Sequence, residues 1–306
     1  MDSLPVILIT GFLGAGKTTF LNALLRHLHG CGKRTAMLIN EFGRIGIDRQ
    51  LVDDRGDAVY EVNQGSIFCA CTRDQFVSAL DSMASRRPDI DIALIESTGI
   101  GNTGDLRKYL DTPPLQGRID VKQNFCLVDA ANFHKVLETL PAVRTQVEEA
   151  SVCVVNKTDL VSEEHLSSLE KKLKEINPDA PLARCLHGEL DFNVWLDFSK
   201  SWSARSPLAQ TPPEDISSVT LTSTVPMDKE KVRVFLQGLS HALLRVKGFL
   251  VTTEGTLYME WVGGGLLIRP ELKCYEGISR LVVIGHRLDA QGLKKGFHAC
   301  RSNGLT

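Results

Sequence analysis

The chain has 306 residues, 43% of them hydrophobic and 24% charged; this is ordinary globular usage at a length that suits two domains of about 150 residues, and it excludes a disordered, collagenous or disulfide-scaffold protein. Thirty-five Lys and Arg stand against 37 Asp and Glu, a formal net charge of −2, so no general attraction to nucleic acid or to an anionic membrane is expected. The longest apolar runs, such as Val6 to Ile9 and Val152 to Val155, fall far short of the roughly 20 residues that cross a bilayer, and Met1 to Pro5 has no basic stretch ahead of an apolar one, so no membrane segment and a cytoplasmic location are expected.

From Pro5 to Asn193 short apolar runs alternate with longer segments of helical period, the signature of βα units and a parallel sheet covered on both faces. The pattern predicts strands over 6–10, 34–39, 58–62, 90–96, 124–129, 151–155 and 182–185, and helices over 17–28, 74–86, 132–138, 142–149 and 163–176. Between 199 and 218 the composition turns to Ser, Pro and polar residues, including Pro207, Pro212 and Pro213, which disfavour a helix and mark a linker. Beyond it the pattern predicts a strand over 219–223, a helix over 229–246, strands over 249–252, 256–262, 265–268 and 280–284, and a helix over 289–300. Strands in close succession there read as a mostly antiparallel α+β module. The expected division is an α/β domain over 1–198, the linker over 199–218 and a smaller α+β domain over 219–306.

Gly11 to Thr18 reads GFLGAGKT, which satisfies GxxxxGK[ST] between a strand and a helix. Gly14, Ala15 and Gly16 form a tight loop whose backbone N–H groups can face phosphate oxygens, and the helix amino terminus adds partial positive charge. Lys17 can reach the β and γ phosphates, the Thr18 hydroxyl can ligate Mg²⁺, and Thr19 follows in the same turn. The run DIALIESTG ends a second strand with Glu96, placed to orient Mg²⁺ or its water shell, and continues to Gly99, whose backbone N–H is a candidate contact for the γ phosphate.

Asn156 to Leu160 reads NKTDL, directly after the apolar run ASVCVV. An NKxD carboxylate accepts hydrogen bonds from guanine N1 and N2, which adenine cannot supply, and a buried carboxylate left unpaired is costly. Asp159 is thus the residue that discriminates GTP from ATP, with Asn156 supporting the pocket and Lys157 laying its stem beside the base.

Together these residues resemble the CobW-type P-loop GTPases, a family of metallochaperones and metallocofactor-maturation proteins. The likeness rests on GFLGAGKTTFLNALL, on NEFGRIGID at Asn40 to Asp48, on IESTG, on NKTDL and on HALLRVKGFL at His241 to Leu250. It implies a P-loop NTPase domain with a mostly parallel sheet followed by a CobW-type carboxy-terminal domain. It implies slow GTP hydrolysis, with GTP or GDP and Mg²⁺ as ligands and Asn40 to Asp48 as a switch that senses the γ phosphate. Lys17, Glu96 and Glu41 form the implied catalytic set, and Thr18, Asp48 and Glu96 the implied Mg²⁺ set. Related P-loop proteins often hydrolyse as dimers, so a nucleotide-dependent homodimer is also an expectation.

The family's metal motif, usually GCxCC, departs from pattern here. Gly65 to Cys71 reads GSIFCAC, so Ser66 and Phe68 replace two cysteines, Cys69 is kept and Cys71 is added. One reading is that Cys69 and Cys71, with Glu41, bind a transition metal such as Zn²⁺ or Co²⁺. The other is that they are reduced loop cysteines, since two thiolates do not complete a tetrahedral site. The remaining six of eight cysteines are read as spectators, and His27 and His29 as solvated helix residues. The resemblance thus implies a GTPase that delivers a metal, or assists metallocofactor insertion, into a client protein. The alternative is a GTP-dependent chaperone gating a cofactor such as a corrinoid on a client enzyme without handling the metal. A small-molecule kinase is disfavoured by the guanine-selecting NKTD and the lack of a second substrate motif.

Overall fold

The run LPVILITG buries Val6, Ile7, Leu8 and Ile9 completely, as a strand must when both faces of its sheet are covered. This is β1 (Leu4–Gly11) of a computed structural model that describes residues 3–40, 58–62, 73–86, 89–97, 109–110, 112–202, 216–262, 265–270 and 277–302. The chain separates into two units, Met1–Pro212 and Pro213–Thr306.

In the first unit β1 is joined by β2 (Thr35–Asn40), β3 (Ala58–Val62), β4 (Ile92–Glu96), β5 (Ile119–Asp129), β6 (Val152–Asn156) and β7 (Leu182–Arg184). They form one seven-stranded sheet in the order β3-β2-β4-β1-β5-β6-β7, and every pairing is parallel. The helices are α1 (Lys17–Gly30), α2 (Arg73–Ser85), α3 (Phe133–Thr139), α4 (Pro141–Glu148), α5 (Glu163–Ile176) and a four-residue α6 (Phe192–Trp195) that the sequence pattern does not signal. One apolar cluster packs α1 through Phe20, Leu21, Leu24 and Leu25 against Ile7, Ile9, Phe125 and Val154. Phe20 lies 5.3 Å from the rings of both Phe125 and Phe192. A separate cluster packs α2 through Phe76, Leu80 and Met83 against Leu4, Leu8, Leu38 and Ile95. Each such fully buried side chain contributes about 1.5–3 kcal/mol relative to exposure.

The start of α5 is set locally: Ser162 accepts a hydrogen bond from the His165 backbone, Glu163 and Glu164 occupy the positive end, and Lys174 the negative one. Because all seven strands run the same way, the loops after β1, β4, β5, β6 and β7 emerge at one edge. The neighbours of β1, β4 and β5, are not its sequence neighbours, and such a reversal of strand order opens a crevice at the carboxyl ends.

The second unit contains β8 (Ile216–Ser223), α7 (Lys229–Gly238), β9 (Leu243–Thr252), β10 (Gly255–Val262), β11 (Gly265–Pro270), β12 (Ser279–His286) and α8 (Ala290–Ala299). Its sheet has the order β11-β10-β9-β12-β8, with every pairing antiparallel. Alternate residues Val219, Leu221, Val246, Leu250, Met259, Trp261, Leu281 and Val283 form one core with Val232 and Leu236 of α7 and Leu293 and Phe297 of α8. This period-two selection is what a sheet with helices on one face requires.

The helix expected over 229–246 is a correction. It ends at Gly238, a poor helix residue, and the chain turns through bonds from Leu239 N to Leu236 O and from Ala242 N to Leu239 O. Leu243–Thr252 is instead the central strand, hydrogen-bonded to β10 on one side and β12 on the other. No helix among the described residues is long and apolar enough to cross a membrane.

Candidate functional site

The loop after β1 turns on glycines. Gly11, Gly14 and Gly16 have φ of 122°, 79° and 100°, a region that L side chains rarely adopt. A Cβ on Gly16 would also collide with the Asn156 amide nitrogen. Beyond Gly16 the helix α1 begins at Lys17 with no side-chain cap on its first amides, so the loop and the helix end present backbone donors to an anion. The Lys17 ammonium, on a residue only 6% exposed, donates to Gly11 O at 2.9 Å and Phe12 O at 3.1 Å. Its charge is therefore stored over the loop. Ala15 is buried, while Thr19 is exposed on the first turn of α1.

The β1–β4 register pairs Ile9 with Glu96, so β4 ends beside the loop. There the Thr18 hydroxyl donates to Glu96 Oε1 at 3.0 Å, and Glu96 is 8% exposed. A hydroxyl and a carboxylate held together next to a phosphate-binding loop are the hard oxygen ligands that Mg²⁺ takes, so the donor set fits that ion.

The other end of the site is built on β6. Asn156, its last residue, is buried; its Nδ2 donates to Ala15 O at 2.8 Å, clamping the phosphate loop to the NKTD segment. Its Oδ1 accepts from the Cys185 thiol at 3.2 Å and from Gly188 N at 3.3 Å. Lys157 then adopts φ 62°, ψ 38°, and its ammonium pairs with Asp129 Oδ2 at 2.7 Å. A 3-10 turn, Thr158–Leu160, follows and leaves Asp159 exposed. Among the described residues Asp159 takes no hydrogen bond, so its acceptors are open to a base edge. The structure thus brings Gly14, Ala15, Gly16, Lys17, Thr18, Glu96, Asn156, Lys157 and Asp159 to one edge of the sheet.

Two features escape the sequence pattern: Asp129 at the end of β5, and the Cys185 to Gly188 loop after β7. A carboxylate ending the apolar run CLVD was the available signal for the first. Glu41, Asp48, Cys69, Cys71 and Gly99, together with most of the expected switch, lie outside the described residues. Among the described residues no group of three or more His, Cys, Asp and Glu could hold a metal ion. Cys126, Cys153 and Cys185 are buried, and burial pushes the Cys126 and Cys185 thiols up to about 12 and that of Cys153 upward as well. Buried among apolar side chains, these thiols fit a structural role. His29 is a correction to the expectation of a solvated residue: it is 6% exposed and lies 3.4 Å from the Thr35 hydroxyl.

Comparison with known proteins places this geometry in context. Residues 5–184 match the sequence profile described as the CobW/HypB/UreG nucleotide-binding domain. Residues 216–301 match the cobalamin synthesis protein cobW C-terminal domain. The chain is 28% identical over 298 residues to the zinc chaperone YjiA of Escherichia coli strain K12, covering 92% of this chain and 88% of the relative. It is 33% identical over 199 residues to zinc-regulated GTPase metalloprotein activator 1 of Schizosaccharomyces pombe, covering 62% of this chain and 48% of that protein. The crystal structure of the Zn(II)-bound YjiA GTPase from E. coli shares the fold, with a TM-score of 0.50 and 24% identity over 99% of this chain and 100% of that one.

Proposed function

The chain belongs to the CobW/HypB/UreG family of P-loop GTPases, and from that premise we propose that it binds GTP with Mg²⁺ and uses nucleotide state to deliver a transition metal, zinc first among the candidates, to a client metalloprotein. The observation that carries the nucleotide half is the 2.8 Å bond from Asn156 to Ala15 O, which ties the base-reading segment to the phosphate loop at the carboxyl edge of one sheet. In this reading Lys17 leaves its two loop carbonyls for the β and γ phosphates. Backbone donors of Gly14 to Thr19 hold the remaining phosphate oxygens, Asp159 accepts from guanine, and Thr18 and Glu96 are the residues that hold Mg²⁺. The ion, when bound, neutralises charge developing on the phosphoryl oxygens.

Support for the metal half comes from the chemistry of the cysteines and from the relatives. Cys69 and Cys71, with Glu41, are carried from the resemblance as the candidate ligand set, since thiolates suit a transition metal. Two relatives, YjiA and the fission-yeast activator, are named for zinc. Asp48 is carried as a further Mg²⁺ ligand, Gly99 as a γ-phosphate contact, and 199–218 as a linker between nucleotide and client-facing domains.

The test is metal analysis of the protein loaded with GDP or a non-hydrolysable GTP analogue, with and without Cys69→Ala and Cys71→Ala. The proposal expects one zinc ion per chain whose affinity changes at least several-fold with the nucleotide and is lost in the double variant; by linkage zinc must shift nucleotide affinity by the same factor. No metal above background, or binding indifferent to both cysteines, overturns the delivery reading and favours a chaperone that gates a cofactor.

A further inference from the structure

We propose that Asp129 is a positioning residue for base selection: by holding the Lys157 ammonium it keeps the Asp159 carboxylate open to guanine. The inference rests on the base-pocket reading above and adds a residue from a different strand.

Asp129 ends β5 and is 7% exposed. Both of its oxygens are engaged. Oδ1 accepts from Ala131 N at 3.0 Å, and Oδ2 accepts from Asn132 Nδ2 at 3.1 Å and from Lys157 Nζ at 2.7 Å. Two of these three bonds come from Asp129's own turn, so the carboxylate is fixed independently of Lys157. The β5–β6 register pairs Asp129 with Asn156, and Ala130 N donates to Asn156 O at 3.0 Å. Anchor and anchored residue therefore stand on neighbouring strand ends, and sheet geometry sets their separation.

Lys157 has reason to need an anchor. Its left-handed backbone is one that L residues rarely adopt, and the next carboxylate along the chain is Asp159, two residues on in the same turn. With Asp129 neutralised, the Lys157 ammonium would have Asp159 as its nearest acidic neighbour in sequence. A pair between them would occupy the acceptors that guanine N1 and N2 require. Adenine makes no use of those acceptors, so the loss falls on guanine alone. A side chain that merely stabilised the β5 turn would weaken both bases equally.

The experiment is isothermal titration of GDP and ADP into the full-length parent, Asp129→Asn, Asp129→Glu, Asp159→Asn and the double variant Asp129→Asn with Lys157→Met. Asp129→Asn keeps the shape of the turn and removes the charge. The expected result is a fall of about tenfold or more in the preference for GDP over ADP, the loss that goes with one charged hydrogen bond, with ADP affinity unchanged. Asp129→Glu should retain part of the preference. The double variant should recover part of it, because no ammonium is left to cover Asp159. Equal weakening of GDP and ADP in Asp129→Asn, or no recovery in the double variant, overturns the inference. If Asp129→Asn fails to fold, the comparison is read from Asp129→Glu, where a partial fall for GDP with ADP unchanged supports the anchor, and an unchanged preference or an equal fall for both nucleotides contradicts it. A preference lost in Asp159→Asn but kept in Asp129→Asn overturns this inference alone, whereas a parent with no preference for GDP overturns the base-pocket reading with it.

Discussion

The two units of this chain solve burial in opposite ways. Among the described residues the first buries thirteen polar or charged residues, Thr10, Lys17, Glu96, Asn124, Asp129 and Asn156 among them, and the second buries two, Ser223 and Ser279. A buried polar group costs free energy unless it is paired, so a concentration of them signals chemistry rather than packing. In the first unit the best-connected ones lie where parallel strands end together. The second unit alternates apolar and polar residues along antiparallel strands and spends its interior on one apolar core. Charge divides in the same way: Met1–Pro212 carries 23 Lys and Arg against 28 Asp and Glu, and Pro213–Thr306 carries 12 against 9. The near-neutral whole therefore conceals an acidic unit and a basic one.

Substitutions can break this contrast, and the largest effect should fall on the phosphate loop. Lys17→Ala removes the buried ammonium over Gly11 and Phe12; GTP affinity, read by equilibrium titration, should fall by about 100-fold or more, in line with the loss of charged hydrogen bonds. Leu221→Ala in the second unit opens a cavity in a core where that side chain is 1% exposed. It should cost about 2–5 kcal/mol of that unit's stability in denaturant unfolding and leave GTP affinity unchanged. A parallel loss of GTP affinity would show that the units are not separable in the way their interiors suggest.

The smallest effect belongs to the surface pair between Arg34 and Asp91, 3.0 Å apart at their closest charged atoms. Hydrogen bonds from Arg34 hold the Asp91 carboxyl down at about 2, below its ordinary 3.8. A lowered carboxylate contributes stability above its ordinary range and loses it as pH falls through the folded value. Arg34→Ala should therefore cost less than about 1 kcal/mol at pH 6, and the difference from the parent should shrink below the ordinary carboxylate range and vanish once the pH has fallen below about 2.

The legibility of the sequence follows the same division. Gly11 to Thr18 and NKTDL could be read directly because each requires particular residue types at a strand end. Asp129 could not, because its partner Lys157 lies 28 residues away and a single carboxylate after an apolar run carries no spacing to recognise. The Cys185 to Gly188 loop was missed for the same reason: its contacts with Asn156 exist only once β7 is beside β6. In the second unit Val232, Leu236, Leu239, Leu243, Val246 and Leu250 recur at three- and four-residue spacing, a helical period that continues through a real break. Only pairing with β10 and β12 decides that the latter half is a strand, and tertiary partners of this kind override local period.

The central claim is that the carboxyl edge of the parallel sheet, from Lys17 to Asp159, is one guanine-nucleotide site. Competition of GTP and ATP for the same bound fluorescent nucleotide, in the presence of Mg²⁺, tests it most directly. GTP should displace the probe at a concentration lower by about 100-fold or more, the discrimination expected when a carboxylate is built to receive hydrogen bonds that adenine cannot give. Equal displacement by GTP and ATP would contradict the account.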